Sequence, residues 1–297
     1  MPTVEPTSAW DISTAVYKRE FSFSPEEIAP YGFTFKPDGT KMYLCGTSGD
    51  DVNEYNLSTA WDVSTALFVQ AFSVVAQGSY PFDIFFKPDG TKMYVLDLVG
   101  GVDEYDLSTA WDVSTAVYLQ GFSVSTQESG PHGFFFRSDG LKMYVVGNNG
   151  DEVNEYNLST AWNVTTASAL QLFSVATQTA EPKGVFFKPD GTKMYVLGST
   201  SDEVYEYNLS TAWSVTTASF FQSISVQSTV PTARDICFRD DGLRMYVMDA
   251  TYKAINEYNI GSLYTLTLPA AVVGNPTALT DNTRVTYEFQ TADAGVT

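Results

Sequence analysis

The residues able to do chemistry in this chain are few. His132 is the single histidine, so any Ser/His/Asp or Cys/His machine would have to be built on it. No GxSxG elbow is present, and neither cysteine stands near His132 in sequence. No HExxH pair, phosphate-binding P-loop, EF-hand loop or dinucleotide fingerprint is spelled out. Asp83 and Asp235 are the one inner-strand carboxylate pair that could share acid–base work on a glycosidic bond, and no third carboxylate joins them. The stretches NNGDEV and TSGDDV carry oxygen ligands of the kind Ca²⁺ accepts, without the ordered spacing of a calcium loop. From these residues we expect no enzyme, no catalytic or metal-binding residues, and no cofactor, Ca²⁺ being the one ion the loops could take.

A second constellation comes from comparing repeated segments. Four residues before the Phe of the recurring FKPDG stand Tyr31, Phe82, His132, Lys183 and Arg234, and one residue later stand Gly32, Asp83, Gly133, Gly184 and Asp235. Two aromatic rings, an imidazole and two cations gathered around one opening could contact an anionic or glycan group. The candidate binding residues are therefore Tyr31, Phe82, His132, Lys183 and Arg234, with Asp83 and Asp235 below them.

The elements that must position these side chains recur with a period near 50. The Met of KMY or RMY falls at Met42, Met93, Met143, Met194 and Met245, and the Trp of AW falls at Trp10, Trp61, Trp111, Trp162 and Trp213. That period with strand-like texture signals propeller blades rather than a helical solenoid, whose units would show a 3.6-residue apolar rhythm. Each unit reads as four strands: a short apolar run, the KMYVLG strand after a PDG turn, the VNEYNLS strand, and an LFVQAFSV-like strand after the STAWDVSTA linker. In PDG, Pro presets φ, Asp caps the turn and Gly takes the left-handed position. The repeated Trp, Met and Tyr are read as interblade packing.

The parts count predicts how the ring closes. After Tyr258 the AWDVSTA linker is missing, while a spare linker and fourth strand, SAWDISTAVYKREFSF, occupies residues 8–23. The expected fold is an all-β, five-bladed β-propeller of four antiparallel strands per blade, its last blade completed by the N-terminal strand so that no sheet edge is left open. The expected organisation is a propeller over residues 1–261 and a C-terminal β-rich extension over 262–297.

The topology also divides the molecule into two rims. The nearly invariant PDGTK and LSTAWDVSTA segments share one, with ten of the sixteen Lys and Arg residues beside the PDG turns. The loops that differ among copies share the other and collect acids such as Glu26, Glu27, Asp50, Asp51, Asp97, Glu128, Asp202 and Asp249. Variable loops on a rigid frame are where binding residues concentrate, so a protein or glycan partner is expected on this variable, acidic rim.

A formal charge of −19 disfavours nucleic acid and anionic membrane as partners. The N-terminus MPTVEPTSAWD shows no signal-peptide pattern, and no apolar run approaches a membrane span. Cys45 and Cys237 fall at unrelated repeat positions, which predicts two buried free thiols rather than a disulfide.

The FKPDGTKMYVLG and EYNLSTAWDVSTA repeats, over about 250 residues, resemble the propeller repeats of marine bacterial and bacteriophage sequences, and are loosely similar to the YVTN-type propeller family. The LTLPAAV and RVTYEF tail segments resemble parts of phage tail-fibre or virion surface proteins. The resemblance implies a non-enzymatic binding or structural module, at a virion or extracellular surface and able to form part of a larger assembly. The alternatives are a five-bladed lectin with repeated sugar sites and, third, a glycoside hydrolase.

Overall fold

The computed structural model of the protein describes residues 8–24, 26–99 and 101–261. They form five four-stranded antiparallel sheets around a central channel. The first complete blade runs from the channel outward as β2 (Pro30–Phe35), β3 (Lys41–Gly46), β4 (Asp51–Leu57) and β5 (Ala66–Ser73), and the next three repeat its order. The fifth blade is closed by β1 (Val16–Ser22), which pairs with Ala254–Asn259 in the register Tyr17 to Tyr258 and Ser22 to Ala254. The five-bladed propeller and its N-terminal closure are thus as expected. The C-terminal segment 262–297 lies outside the described residues, and among those described no helix is long and apolar enough to cross a membrane.

The repeated turn explains why Gly is required in PDG. Gly39 has φ +71° and its N–H donates to the Lys36 carbonyl at 2.8 Å, while Asp38 accepts from Thr40 N–H at 2.9 Å. Trp61 lies on this glycine: a Cβ at position 39 would sit 2.3 Å from the indole. Trp61 itself holds φ +64°, and the other four repeat tryptophans have φ between +64° and +70°. A bulky residue in the left-handed region is strained. What holds it there is the Trp61 N–H bond to the Gly39 carbonyl at 2.9 Å, together with the indole packing on the turn.

Neighbouring blades are joined by aromatic and polar contacts that repeat around the ring. The Tyr43 ring packs on Phe86 of the next blade and its hydroxyl donates to the Trp111 carbonyl at 2.7 Å. Beneath this layer lies a carboxylate that sequence reading overlooked. Glu155 is fully buried, accepts from the Lys142 ammonium and from Gln171 Nε2 at 2.7 Å, and also takes the Val215 N–H of the following blade at 3.0 Å. Glu54, Glu104, Glu206 and Glu257 occupy the same place with Lys41, Lys92, Lys193 and Arg244 as their cations. Only the pairing of each Lys or Arg with a residue thirteen or twelve positions later, across β3 and β4, could have signalled it. Cys45 and Cys237 are buried free thiols.

Candidate functional site at the channel mouth

The five differing residues at the start of the innermost strands meet in one run of contacts around the channel mouth. Going round the ring, the Arg234 guanidinium lies 4.7 Å from the centre of the Tyr31 ring, which stacks on Phe82 at 4.0 Å and 8°. Phe82 stacks on His132 at 4.8 Å, and His132 Nε2 lies 3.3 Å from Lys183 Nζ. Lys183 Nζ also donates to Asn148 Oδ1 at 3.1 Å and stands 3.7 Å from Glu181. Their common position was legible in the sequence. Their mutual contact was not, because each contact joins residues from different blades, about fifty positions apart or, for Arg234 and Tyr31, about two hundred.

Burial and charge give this run of contacts its chemistry. Desolvation, then the charges of Lys183 and Arg234, push His132 down to about 3, so the imidazole is neutral near pH 7. Burial lowers Lys183 to about 8, with Glu181 opposing the shift and Arg234 adding to it. The Nε of Arg234 is buried with no hydrogen-bond partner. Two cations side by side, one with an orphan donor, make a place where an anionic oxygen would satisfy what the protein leaves unsatisfied.

One layer deeper, Asp83 and Asp235 line the same throat. Each bridges two blades. Asp83 takes the Ile84 N–H of its own strand at 2.7 Å and the Phe134 N–H of the next blade at 2.8 Å. Asp235 takes Ile236 N–H at 2.7 Å and Phe33 N–H at 2.9 Å. Glycine stands at the equivalent positions because the blades approach closely there: a Cβ on Gly32 would meet the Asp83 Cα at 2.4 Å, and one on Gly184 would meet Asp235 Oδ1 at 2.6 Å. Burial raises both carboxyls above the ordinary range, and repulsion from Asp235 adds to the rise at Asp83. A pair of this kind titrates as a unit and retains a proton to higher pH than either acid alone. Below it, Phe85, Phe135 and Phe186 pack edge to face at 5.5 and 5.1 Å and narrow the channel.

The variable rim is less open than its sequence suggests. Glu27 and Glu128 are fully buried and turn inward, Glu27 taking Ala29 N–H at 2.6 Å and Glu128 taking Gly130 N–H at 2.7 Å. Asp97 accepts from Tyr80 N–H and Asp202 from Ala233 N–H, at 2.8 and 2.9 Å. These acids staple loops, so the outward field of negative charge is smaller than the composition implies. Asp51, in the TSGDDV loop, accepts from Asn53 Nδ2 at 2.7 Å, and among the described residues no three acidic, His or Cys side chains are gathered as metal ligands.

No family model and no curated protein matches the chain. Solved structures do. A candidate 6-phosphogluconolactonase from Bacteroides fragilis aligns with TM-score 0.51 and 14% identity over 80% of this chain and 82% of its own. A second, from Bacteroides uniformis, aligns with TM-score 0.44 and 14% identity over 73% of this chain and 63% of its own, so the chain spans under two thirds of that protein. The periplasmic gluconolactonase of Pseudomonas aeruginosa aligns with TM-score 0.46 and 16% identity over 80% of this chain and 72% of its own. Likeness at this identity establishes the fold. The name of the B. fragilis neighbour corrects two expectations: neither a non-enzymatic recognition or structural module, whether of surface or lectin type, nor the absence of an enzyme follows from a fold that a candidate lactonase shares. The second rested on missing sequence motifs, the first on the variable rim and the resemblance of the repeats, and a site assembled from five blades need leave no local motif.

Proposed function

We propose that the protein is a hydrolase that opens the lactone of a small, anionic sugar derivative at the channel mouth. The observation that carries this reading is the carboxylate pair of Asp83 and Asp235 lining the throat, one residue along the innermost strands from the mouth residues Phe82 and Arg234. The name of the B. fragilis neighbour supplies the substrate class, a phosphorylated gluconolactone. In this reading Lys183 and Arg234 hold the anionic group, Arg234 through its unpartnered Nε. The ionised member of the carboxylate pair takes a proton from water as the water oxygen attacks the lactone carbonyl. The C–O ring bond breaks, and the protonated member supplies the proton that the leaving ring oxygen needs.

The YVTN-type character of the repeats belongs to this reading as well, supported by their period and hairpin pattern. So does an extracellular or periplasmic setting, which two buried thiols would tolerate without pairing. The test is direct. Purified protein is given 6-phosphoglucono-δ-lactone or glucono-δ-lactone, and disappearance of hydroxylamine-reactive lactone is followed after subtraction of spontaneous hydrolysis. The phosphorylated lactone should be consumed faster, Asp83→Asn and Asp235→Asn should each lose at least about a hundredfold in kcat, and Lys183→Met should raise KM for the phosphorylated substrate alone. Hydrolysis no faster than the spontaneous rate for both lactones would refute the proposal.

A further inference from the structure

The opposite end of the channel carries a second cavity with different chemistry. It opens on the uniform rim, has a volume of about 250 Å³, and is walled by aromatic rings including Trp61, Trp111, Trp213 and Phe135. The Phe85, Phe135 and Phe186 cluster forms its floor and separates it from the carboxylate throat. Where the other copies place Pro37, Pro88, Ser138 and Pro189 on its lip, the fifth places Asp240.

Asp240 differs electrically from every other acid of that rim. The five turn bases are each matched by the acid two residues on: Lys36 with Asp38, Lys87 with Asp89, Arg137 with Asp139, Lys188 with Asp190 and Arg239 with Asp241, at 2.6 to 2.8 Å. With Asp241 engaged by Arg239, the Asp240 carboxylate accepts no hydrogen bond and joins no ion pair among the described residues. Desolvation, then the charge of nearby Asp241, hold it above the usual carboxylate range.

From this geometry we propose that the uniform-rim cavity is an aromatic cage for a small organic cation of the quaternary or methylated ammonium class, with Asp240 as its counter-charge. Several indole and phenyl rings surround one volume rather than offering a single flat platform, and electron-rich ring faces attract a cation whose methyl groups also want to leave water. A sugar would ask for several polar partners along the wall, and only Thr34, Ser138 and Asp240 are polar there. The volume lies below the range of drug-sized sites, which selects a ligand of few heavy atoms. The five turn bases of this rim are each paired with an acid, so none stands at the lip as an unmatched positive charge.

The test uses the intact protein with choline and tetramethylammonium chlorides, read by tryptophan fluorescence and isothermal calorimetry. Potassium chloride controls for ionic strength, and 3,3-dimethylbutan-1-ol serves as the uncharged shape mimic of choline. Both cations should bind saturably, the neutral mimic about tenfold or more weakly. Asp240→Pro, which installs the residue of three other copies and so should fold, should weaken cation binding about tenfold, and Ser138→Asp should strengthen it. Equal affinity for the neutral mimic would overturn the proposal by making the cavity merely apolar. Undiminished binding in Asp240→Pro, or a cation response no different from that of potassium chloride, would overturn it too.

Discussion

The Tyr195 hydroxyl donates to the Trp10 carbonyl at 2.7 Å, joining residues 185 positions apart. The same bond links Tyr43 to Trp111, Tyr94 to Trp162, Tyr144 to Trp213 and Tyr246 to Trp61, at 2.7 to 2.8 Å. The interface that shuts the ring is therefore chemically the same as those inside it, so the borrowed N-terminal linker is a full replacement for the missing one. Tyr195→Phe leaves the Trp10 carbonyl without this donor and should lower stability by about 1 kcal/mol, with a similar loss for Tyr94→Phe. Urea unfolding of the two variants checks this, and a negligible loss in Tyr195→Phe alone would argue against an equivalent closing interface.

Gly191 has φ +72°, and a Cβ there would lie 2.4 Å from the Trp213 indole. Gly191→Ala combines backbone strain with a clash against a ring, and Gly191→Val adds branching. Alanine should cost on the order of 1–3 kcal/mol and valine more, measured by thermal or urea unfolding. A shift in tryptophan emission should accompany the loss, because the indole has to move.

The buried glutamates make the two partners of each ion pair unequal. Lys142→Met leaves the Glu155 carboxylate buried with only its neutral donors, whereas Glu155→Gln leaves a partly exposed ammonium that water can reach. Lys142→Met should therefore be the worse change, costing about 3 kcal/mol or more. Chemical unfolding of both variants reads the order, and the reverse order would mean that the carboxylate is better hydrated than its burial indicates.

Two features of the channel mouth pull stability in opposite directions with pH. His132 is held down to about 3 from 6.5, so below pH 6.5 the unfolded chain takes up a proton that the folded one refuses. Its contribution worsens as pH falls, and His132→Gln should gain melting temperature relative to the parent between pH 6.5 and 4. Asp83 and Asp235 are raised, so the folded state binds more protons than the unfolded, and their contribution fades as pH climbs above the ordinary carboxylate range. Asp235→Asn should flatten that fall on the alkaline side. Melting curves of both variants across this range, compared with the parent, separate the effects by sign.

What the sequence by itself determined is everything that a repeat encodes along the chain: the blade count, the strand order, the turn glycines, the borrowed closing strand, and the equivalence of Tyr31, Phe82, His132, Lys183 and Arg234. These follow from local rules, since a period of fifty and a PDG turn dictate register without reference to neighbours. What only the tertiary structure decided lies between copies. The stack from Arg234 through Tyr31 and Phe82 to His132, the inward turn of Glu27 and Glu128, the left-handed tryptophans and the blade-bridging roles of Asp83 and Glu155 each depend on the facing residue in the next blade or loop. The absence of a catalytic motif decides nothing about function for the same reason. Side chains contributed singly by separate blades form a site only when the ring closes, and no stretch of chain contains that geometry.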